Sequence, residues 1–249
     1  MTKKEKKKGG VFYRIILAVL ILIIAFCLYK IGTIVYEYHV GTKEYNGVQE
    51  LAGTQAESFT GEVDFDGLVK KNKDVKAWIY SKDTVINYPV VQGRDNQYYL
   101  YRMFNGEYNG KGSIFIDYRC ENPFEDFNTI VYGHRMKDGS MFNSLAKYRD
   151  KGYFDKHKTM MLITPEKKYH IQIFGVVTIP ADSDKFQYGF SGEDDKQAYL
   201  DWIMSKSEID TGVAASTKDK VVMLSTCTYE FDDARLVVYG KLAERKDDK

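Results

Sequence analysis

From Ile15 to Tyr29 the chain carries no charged residue, and Val11–Tyr13 extend this apolar run across Arg14. Arg14 can snorkel its guanidinium to the headgroups. A bilayer is spanned by about 17–25 mostly apolar residues, so Val11–Tyr29 is long enough. The run "KKEKKKGG" at Lys3–Gly10 precedes it. Positive charge stays cytoplasmic, so the N-terminus is expected inside and everything after Lys30 outside. A cleaved signal peptide is the competing reading. Against it, no small-x-small site follows the apolar core, and Phe26 is bulky where processing at Cys27 would want a small residue. The expectation is a basic cytoplasmic tail over 1–10, an uncleaved anchor over 11–30 and an exported remainder.

Export gives the cysteine count meaning. Beyond Cys27 in the anchor there are only Cys120 and Cys227. Two thiols cannot make a disulfide-dense framework. Either they pair once, or one is free because it must react. The net charge of +1 gives no reason to expect nucleic acid.

Residues 31–74 mix apolar and charged positions, with patchy helical spacing at Ile34, Tyr38 and Val48–Leu51. They read as an extracellular stalk of one or two short helices. A further helix starts at "DFDGLVKKN", with Asp64 or Asp66 as its N-cap. From Ala77 the pattern turns to alternation with β-branched residues. "AWIYSKDTVINYPVVQG" reads as two strands. "NQYYL" reads as a short helix, leading through a Gly-rich turn to a strand over Ser113–Asp117. "NTIVYGHRM" is a strand ending near His134, and "SMFNSLAKYRDKGYFDKH" a helix and turn. "TMMLITPEKKYHIQIFGVVTIP" is a hairpin turning at Pro165–Lys168. "GEDDKQAYLDWIMSKSEI" is an amphipathic helix with Ala198, Tyr199, Trp202 and Ile203 on one face. Val221–Leu224 and Leu236–Val238 are the last two strands. Many short strands and few helices imply a mostly-β barrel or sandwich over 75–245.

Three residues suggest chemistry. Cys227 ends an apolar strand among Ser225, Thr226 and Thr228, where a strand meets solvent. An unpaired cysteine is commonly a small buried hydrophobe, but a nucleophile needs this kind of access, and a base or cation to make its thiolate. His134 ends another apolar strand after Gly133; its bland reading is a strand cap. Arg235 opens the following strand. Its bland reading is a surface salt bridge with Asp232 or Asp233. Its chemical one is a permanently charged donor for the oxyanion formed when a thiolate attacks an amide. There is no phosphate loop, no G-x-S-x-G elbow and no zinc-ligand spacing of Cys and His.

Taken in order, "LSTC" at Leu224–Cys227, Arg235 eight residues later and "VYGH" at Val131–His134 resemble the sortases, membrane-anchored cysteine transpeptidases of Gram-positive bacteria. Met223 departs conservatively from the first position of the family's T-L-x-T-C motif. The resemblance covers roughly Val75 to Leu242 and the anchor. Within the family it is similar to class B, through "NQYYL", "GSIFIDYR", "TYEFDD" and the insertion Pro180–Lys220 before the Cys strand. The polar end "KLAERKDDK" lacks the second span expected of a pilus-building class. The resemblance implies an eight-stranded sortase-type β-barrel with N-terminal helices and a helix in that insertion. It implies Cys227 as nucleophile, His134 as general acid and base, and Arg235 as holder of the substrate carbonyl and oxyanion. Asn96, Leu100, Thr226 and Tyr188 match groove positions. Implied partners are surface proteins with an N-P-x-T-x-like sorting motif, haem- or iron-uptake proteins among them, and a peptidoglycan amine as acceptor. No cofactor or metal is implied. An exported cysteine endopeptidase without transfer, and an adhesion barrel with a structural Cys227, are the rival readings.

Overall fold

A computed structural model describes residues 9–54, 59, 61–228 and 232–245. Most of the basic N-terminal run and Tyr229–Phe231 of "TYEFDD" lie outside the described residues. The described chain forms two compact units, divided between Val40 and Gly41.

The first unit is helical. Helix α1 runs from Gly9 to Leu51 without a break, so the one or two short stalk helices expected after Lys30 are one continuous helix. Within it the side chains of Phe12, Ile15 and Leu22 are exposed. A helix this long and apolar can cross a bilayer, as anchor or signal sequence.

The second unit starts with the last turns of α1. Here Tyr45 and Val48 are buried, as is Ala52 just beyond the helix. Tyr45 donates its hydroxyl to the Gly112 carbonyl at 2.5 Å, and Gln49 donates to the Asn87 carbonyl at 2.8 Å. Helix α2, Phe65–Lys71, begins at an N-cap supplied by Asp64 rather than Asp66: the Asp64 carboxylate accepts from Gly67 N at 2.9 Å.

Eight strands close into a barrel in the order β1-β2-β3-β4-β7-β8-β6-β5. They are β1 Val75–Tyr80, β2 Asn87–Val91, β3 Ile114–Ile116, β4 Asn128–Tyr132, β5 Thr159–Ile163, β6 Lys168–Pro180, β7 Lys220–Cys227 and β8 Ala234–Glu244. Closure leaves no free sheet edge. The β2–β3 and β4–β7 pairs are parallel and the rest antiparallel. Several strands are buried on both faces; β2 and β3 are buried throughout. This is why they read as continuous apolar runs. Trp78 is fully buried and satisfies its indole N–H on Asn87 Oδ1 at 2.8 Å.

A 3-10 helix, Asn143–Arg149, and α3, Lys151–Lys156, lead from β4 to β5. The β6–β7 connection carries α4, Glu193–Lys206. Its buried side chains are Tyr199, Leu200 and Ile203; Ala198, expected on that face, is exposed and Trp202 is only half-buried. Ile203 presses on Gly175 of β6, where a Cβ would lie 2.6 Å from its Cγ2. "NQYYL" is a run of turns rather than a helix. The Asp95 carboxylate accepts from Gln97 N and Tyr98 N at 2.9 and 2.8 Å and so holds the first of these turns.

A buried cation ties α1 to the barrel. Lys111 is 2% exposed. Its ammonium reaches Asp138 at 2.5 Å, Ser140 at 3.0 Å and Thr42 of α1 at 3.1 Å. Removing one partner of a fully buried pair costs ~3–5 kcal/mol. Asp138 is 24% exposed, so Lys111→Met is expected to cost about 2 kcal/mol. That corresponds to a fall in melting temperature of roughly 4–8 °C. A thermal melt of the variant checks it, and an unchanged midpoint refutes it.

Candidate active site

Parallel pairing of β4 with β7 sends both strands out at the same end of the barrel. Tyr132 faces Ser225 in register, and Gly133 N donates to the Ser225 carbonyl at 3.1 Å, extending the ladder one residue. His134 therefore leaves the sheet beside Thr226 and Cys227. β8 returns antiparallel, with Arg235 the register partner of Cys227. Gly133 has no room for a side chain: a Cβ would lie 2.5 Å from Ile114 Cδ1 and 2.6 Å from Phe142 Cδ2. The turn into β8 passes through Asp233 at φ 58°, and is held by Ala181 N on the Asp233 carbonyl and Thr228 N on the Ala234 carbonyl, both at 3.0 Å.

These strand ends surround a cavity of about 260 Å³. Cys227, His134 and Arg235 line it together with Asn96, Leu100 and Thr226. Tyr188 does not. It borders an adjoining open depression that shares Tyr132, Ala181 and Phe186 with the cavity, and its ring stacks on the Arg119 guanidinium at 4.5 Å. Phe115, Tyr132, Gly133, Ala181, Phe186 and Ser225 complete the cavity wall. None of these was singled out as a groove residue from sequence. Tyr132, Gly133 and Ser225 had one signal, their place beside His134 or Cys227 in the sequence; Phe115, Ala181 and Phe186 come from other parts of the chain and had none.

His134 is half-buried, and its Nε2 lies 2.6 Å from the Leu100 carbonyl. A carbonyl only accepts, so Nε2 carries the hydrogen. Leu100 thus contributes its backbone as well as its side chain. Gly112, at φ +56°, keeps that carbonyl in place, because a Cβ there would collide with Leu100 O. Tyr101 covers the imidazole with ring centres 6.0 Å apart. Arg235 is half-buried and donates to the Ala234 carbonyl at 3.1 Å. Among the described residues it forms no ion pair with Asp232 or Asp233, so the surface-bridge reading does not describe it. The hydroxyls of Ser225 and Thr226 are buried and without a hydrogen-bond partner among the described residues.

The two exported thiols have separate fates. All three cysteines are free, so the Cys120–Cys227 disulfide that counting allowed is not formed. Cys120 is buried, and burial pushes its thiol up to about 11. It carries almost no thiolate at neutral pH and reads as packing. Cys227 is half-buried and opens on the cavity.

Comparison with known proteins gives this arrangement its context. Residues 80–243 match the family model described as Sortase domain. The fold is that of a cysteine transpeptidase family built on a closed β-barrel. The chain is 40% identical to Sortase B of Listeria monocytogenes over 180 residues, covering 72% of this chain and 73% of that protein. It is 37% identical to Sortase B of Staphylococcus aureus over 180 residues, covering 72% and 74%. Among solved structures, the Staphylococcus aureus sortase B–substrate complex superimposes with a TM-score of 0.77 at 32% identity, over 85% of this chain and all of that one. Sortase B from Bacillus anthracis in complex with AAEK1 does so at 0.76 and 36%, over 85% of this chain and 100% of that one. The chain belongs to the sortase family, and within it is a transpeptidase of the sortase B kind.

The contrast between the two thiols is directly measurable. Iodoacetamide at neutral pH is expected to alkylate Cys227 in the native protein on the order of a hundredfold faster than Cys120, because only the thiolate attacks and Cys120 holds so little of it. Peptide mass spectrometry over time reads both sites. Equal rates would refute the assignment.

Proposed function

We propose that this enzyme cleaves an N-P-x-T-x-like C-terminal sorting motif after its threonine and transfers the new carboxyl end to a peptidoglycan amine. The gathering of Cys227, His134 and Arg235 around one cavity supports the reading most directly. Cys227 thiolate attacks the threonine carbonyl, and the carbonyl electrons move onto oxygen. Arg235, permanently charged, stabilises that oxyanion. Nε2 of His134 is committed to Leu100, so Nδ1 is the nitrogen that protonates the departing amine. The C–N bond breaks and a thioester to Cys227 remains. His134, now neutral, takes a proton from the incoming amine as it attacks, and the thiolate leaves. Two moderate barriers replace one high one.

Asn96, Leu100 and Thr226 line the substrate side of the cavity, and Tyr188 lies at its margin, where an extended peptide would continue into the adjoining depression. The basic N-terminal run holds the tail of residues 1–10 in the cytoplasm, 11–30 span the membrane, and the barrel works outside. Its substrates are surface proteins bearing the motif, haem- or iron-uptake proteins among them.

The test is a quenched fluorescent Asn-Pro-Gln-Thr-Gly peptide with and without excess triglycine or hydroxylamine. Cleavage after threonine, with the released fragment capped by the added amine, is expected. Water as sole acceptor despite excess amine would identify an endopeptidase instead. Cys227→Ala should abolish turnover, whereas intact function would support the adhesion reading. Arg235→Lys keeps the charge but loses the planar fork. It should lower kcat on the order of a hundredfold, the usual cost of one oxyanion donor. Near-normal turnover in that variant would remove Arg235 from the oxyanion role.

A further inference from the structure

Asp117 lies at the end of β3 and is completely buried, yet it touches none of Cys227, His134 or Arg235 and does not line the cavity. Five donors converge on it. Arg119 contributes its backbone N–H and Nε to Oδ1, at 3.0 and 2.9 Å, and an Nη to Oδ2 at 2.7 Å. Asn96 Nδ2 and the Tyr132 hydroxyl each donate to Oδ2 at 2.9 Å. Burial, the largest single influence, pushes this carboxyl up, but the hydrogen bonds from Arg119, Asn96 and Tyr132 together outweigh it, and the group sits below the ordinary carboxylate range. It is an anion at neutral pH and accepts from every neighbour.

Two of those neighbours, Asn96 and Tyr132, are walls of the cavity, and the third, Arg119, carries the Tyr188 ring. Because an ionised carboxylate can only accept, Asn96 must turn its NH2 towards it. The Asn96 Oδ1 is set by the opposite constraint, accepting from Tyr118 N at 3.0 Å. The amide therefore has one orientation. One Nδ2 hydrogen is spent on Asp117 and the other is left for the cavity. Tyr132 gives its only hydroxyl hydrogen to Asp117, so towards the cavity its oxygen can only accept.

We infer that Asp117 is a positioning residue that sets the hydrogen-bond polarity of the substrate wall, making Asn96 a donor and Tyr132 an acceptor towards a peptide group that carries both functions, such as a carboxamide. The inference rests on the proposed peptide-cleaving function, which it deepens. A carboxylate in the same place has no hydrogen for Tyr132 and forgoes that bond. The wall thus discriminates between carboxamide and carboxylate of equal size.

The experiment compares wild type with Asp117→Asn on two quenched fluorescent peptides, Asn-Pro-Gln-Thr-Gly and Asp-Pro-Gln-Thr-Gly. Hydrogen bonds to a buried charge are worth about one to two decades in an equilibrium. The variant is expected to lose roughly tenfold to a hundredfold in kcat/KM on the Asn peptide, mainly through KM, and its Asn-over-Asp preference should fall about tenfold or more. Alkylation of Cys227 by iodoacetamide, which uses no part of this wall, should stay within about twofold. A loss shared equally by both peptides, or matched by slower alkylation, overturns the inference in favour of a general packing role. Should Asp117→Asn fold poorly, Tyr132→Phe deletes one member of the network and should lower the same preference in the same direction; an unchanged preference overturns the inference. If wild type cleaves neither peptide, the proposed function fails on its own account. The inference is then decided by the Asn96 side-chain amide in NMR. Slow hydrogen exchange in wild type, lost in Asp117→Asn, supports it, and equal exchange in the two proteins overturns it.

Discussion

Parallel pairing of β4 and β7 is the constraint on which the site depends. An antiparallel partner would put the C-terminal end of one strand beside the N-terminal end of the other, and Cys227 and His134 would lie at opposite ends of the barrel. Parallel neighbours need a long crossover. Here it includes β5, β6 and the connection carrying α4. That excursion also supplies Ala181 and Phe186 to the cavity wall. The same topology that forces a long connection therefore delivers the part of the wall that the short strands cannot. Residues distant in sequence meet because the ladder runs on to Gly133 N and the Ser225 carbonyl, a contact that only a glycine between Ile114 and Phe142 permits.

Beneath the cavity the energetics change character. The barrel interior is apolar and close-packed, but the floor beside Asn96 and Tyr132 holds an ion. A buried carboxylate is tolerable only when its acceptor sites are filled, and Asp117 has five donors. The arrangement is rigid for the same reason that it is tolerable, since moving any donor would leave a desolvated charge short of a partner. Ser225 and Thr226 show the opposite condition, with buried hydroxyls left without partners among the described residues.

Much of this was legible in the sequence where chemistry and periodicity coincide. The strand ends at Cys227, His134 and Arg235 stood out because an apolar β-branched run stopped at a reactive side chain. The α4 helix was found from its acidic first turn and apolar spacing, although Leu200 rather than Ala198 is the buried neighbour of Tyr199. What failed depended on partners remote in sequence. α1 looked broken because Glu37, Lys43 and Glu44 interrupt its apolar pattern, yet backbone hydrogen bonding continues through them. "NQYYL" looked helical because spacing does not reveal that the Asn96 side chain is engaged on both sides, by Asp117 and by Tyr118 N. Asp117 drew no attention, since a single acid at a strand end has no pattern.

The loop bearing His134 shows how far the site's supports extend. His134 is held on one side by the Leu100 carbonyl. On the other, Phe142 N returns to the His134 carbonyl at 2.9 Å, and Arg135 bridges to Met141. Between those points lie Asp138 and Ser140, both bonded to Lys111, whose third partner is Thr42 of α1. The close approach of Gly41 completes the cover: a Cβ there would meet the Lys111 side chain at 2.7 Å. Lys111 can stay buried only while the last turns of α1 lie over it, and it holds the loop only while it is buried. The working enzyme therefore begins before its first strand. The segment from Gly41 to Leu51, which precedes the residues matching the family model, supports through Lys111 the loop that follows His134. A chain cut just before β1 would keep every strand of the barrel and lose the cover that orders the loop carrying His134.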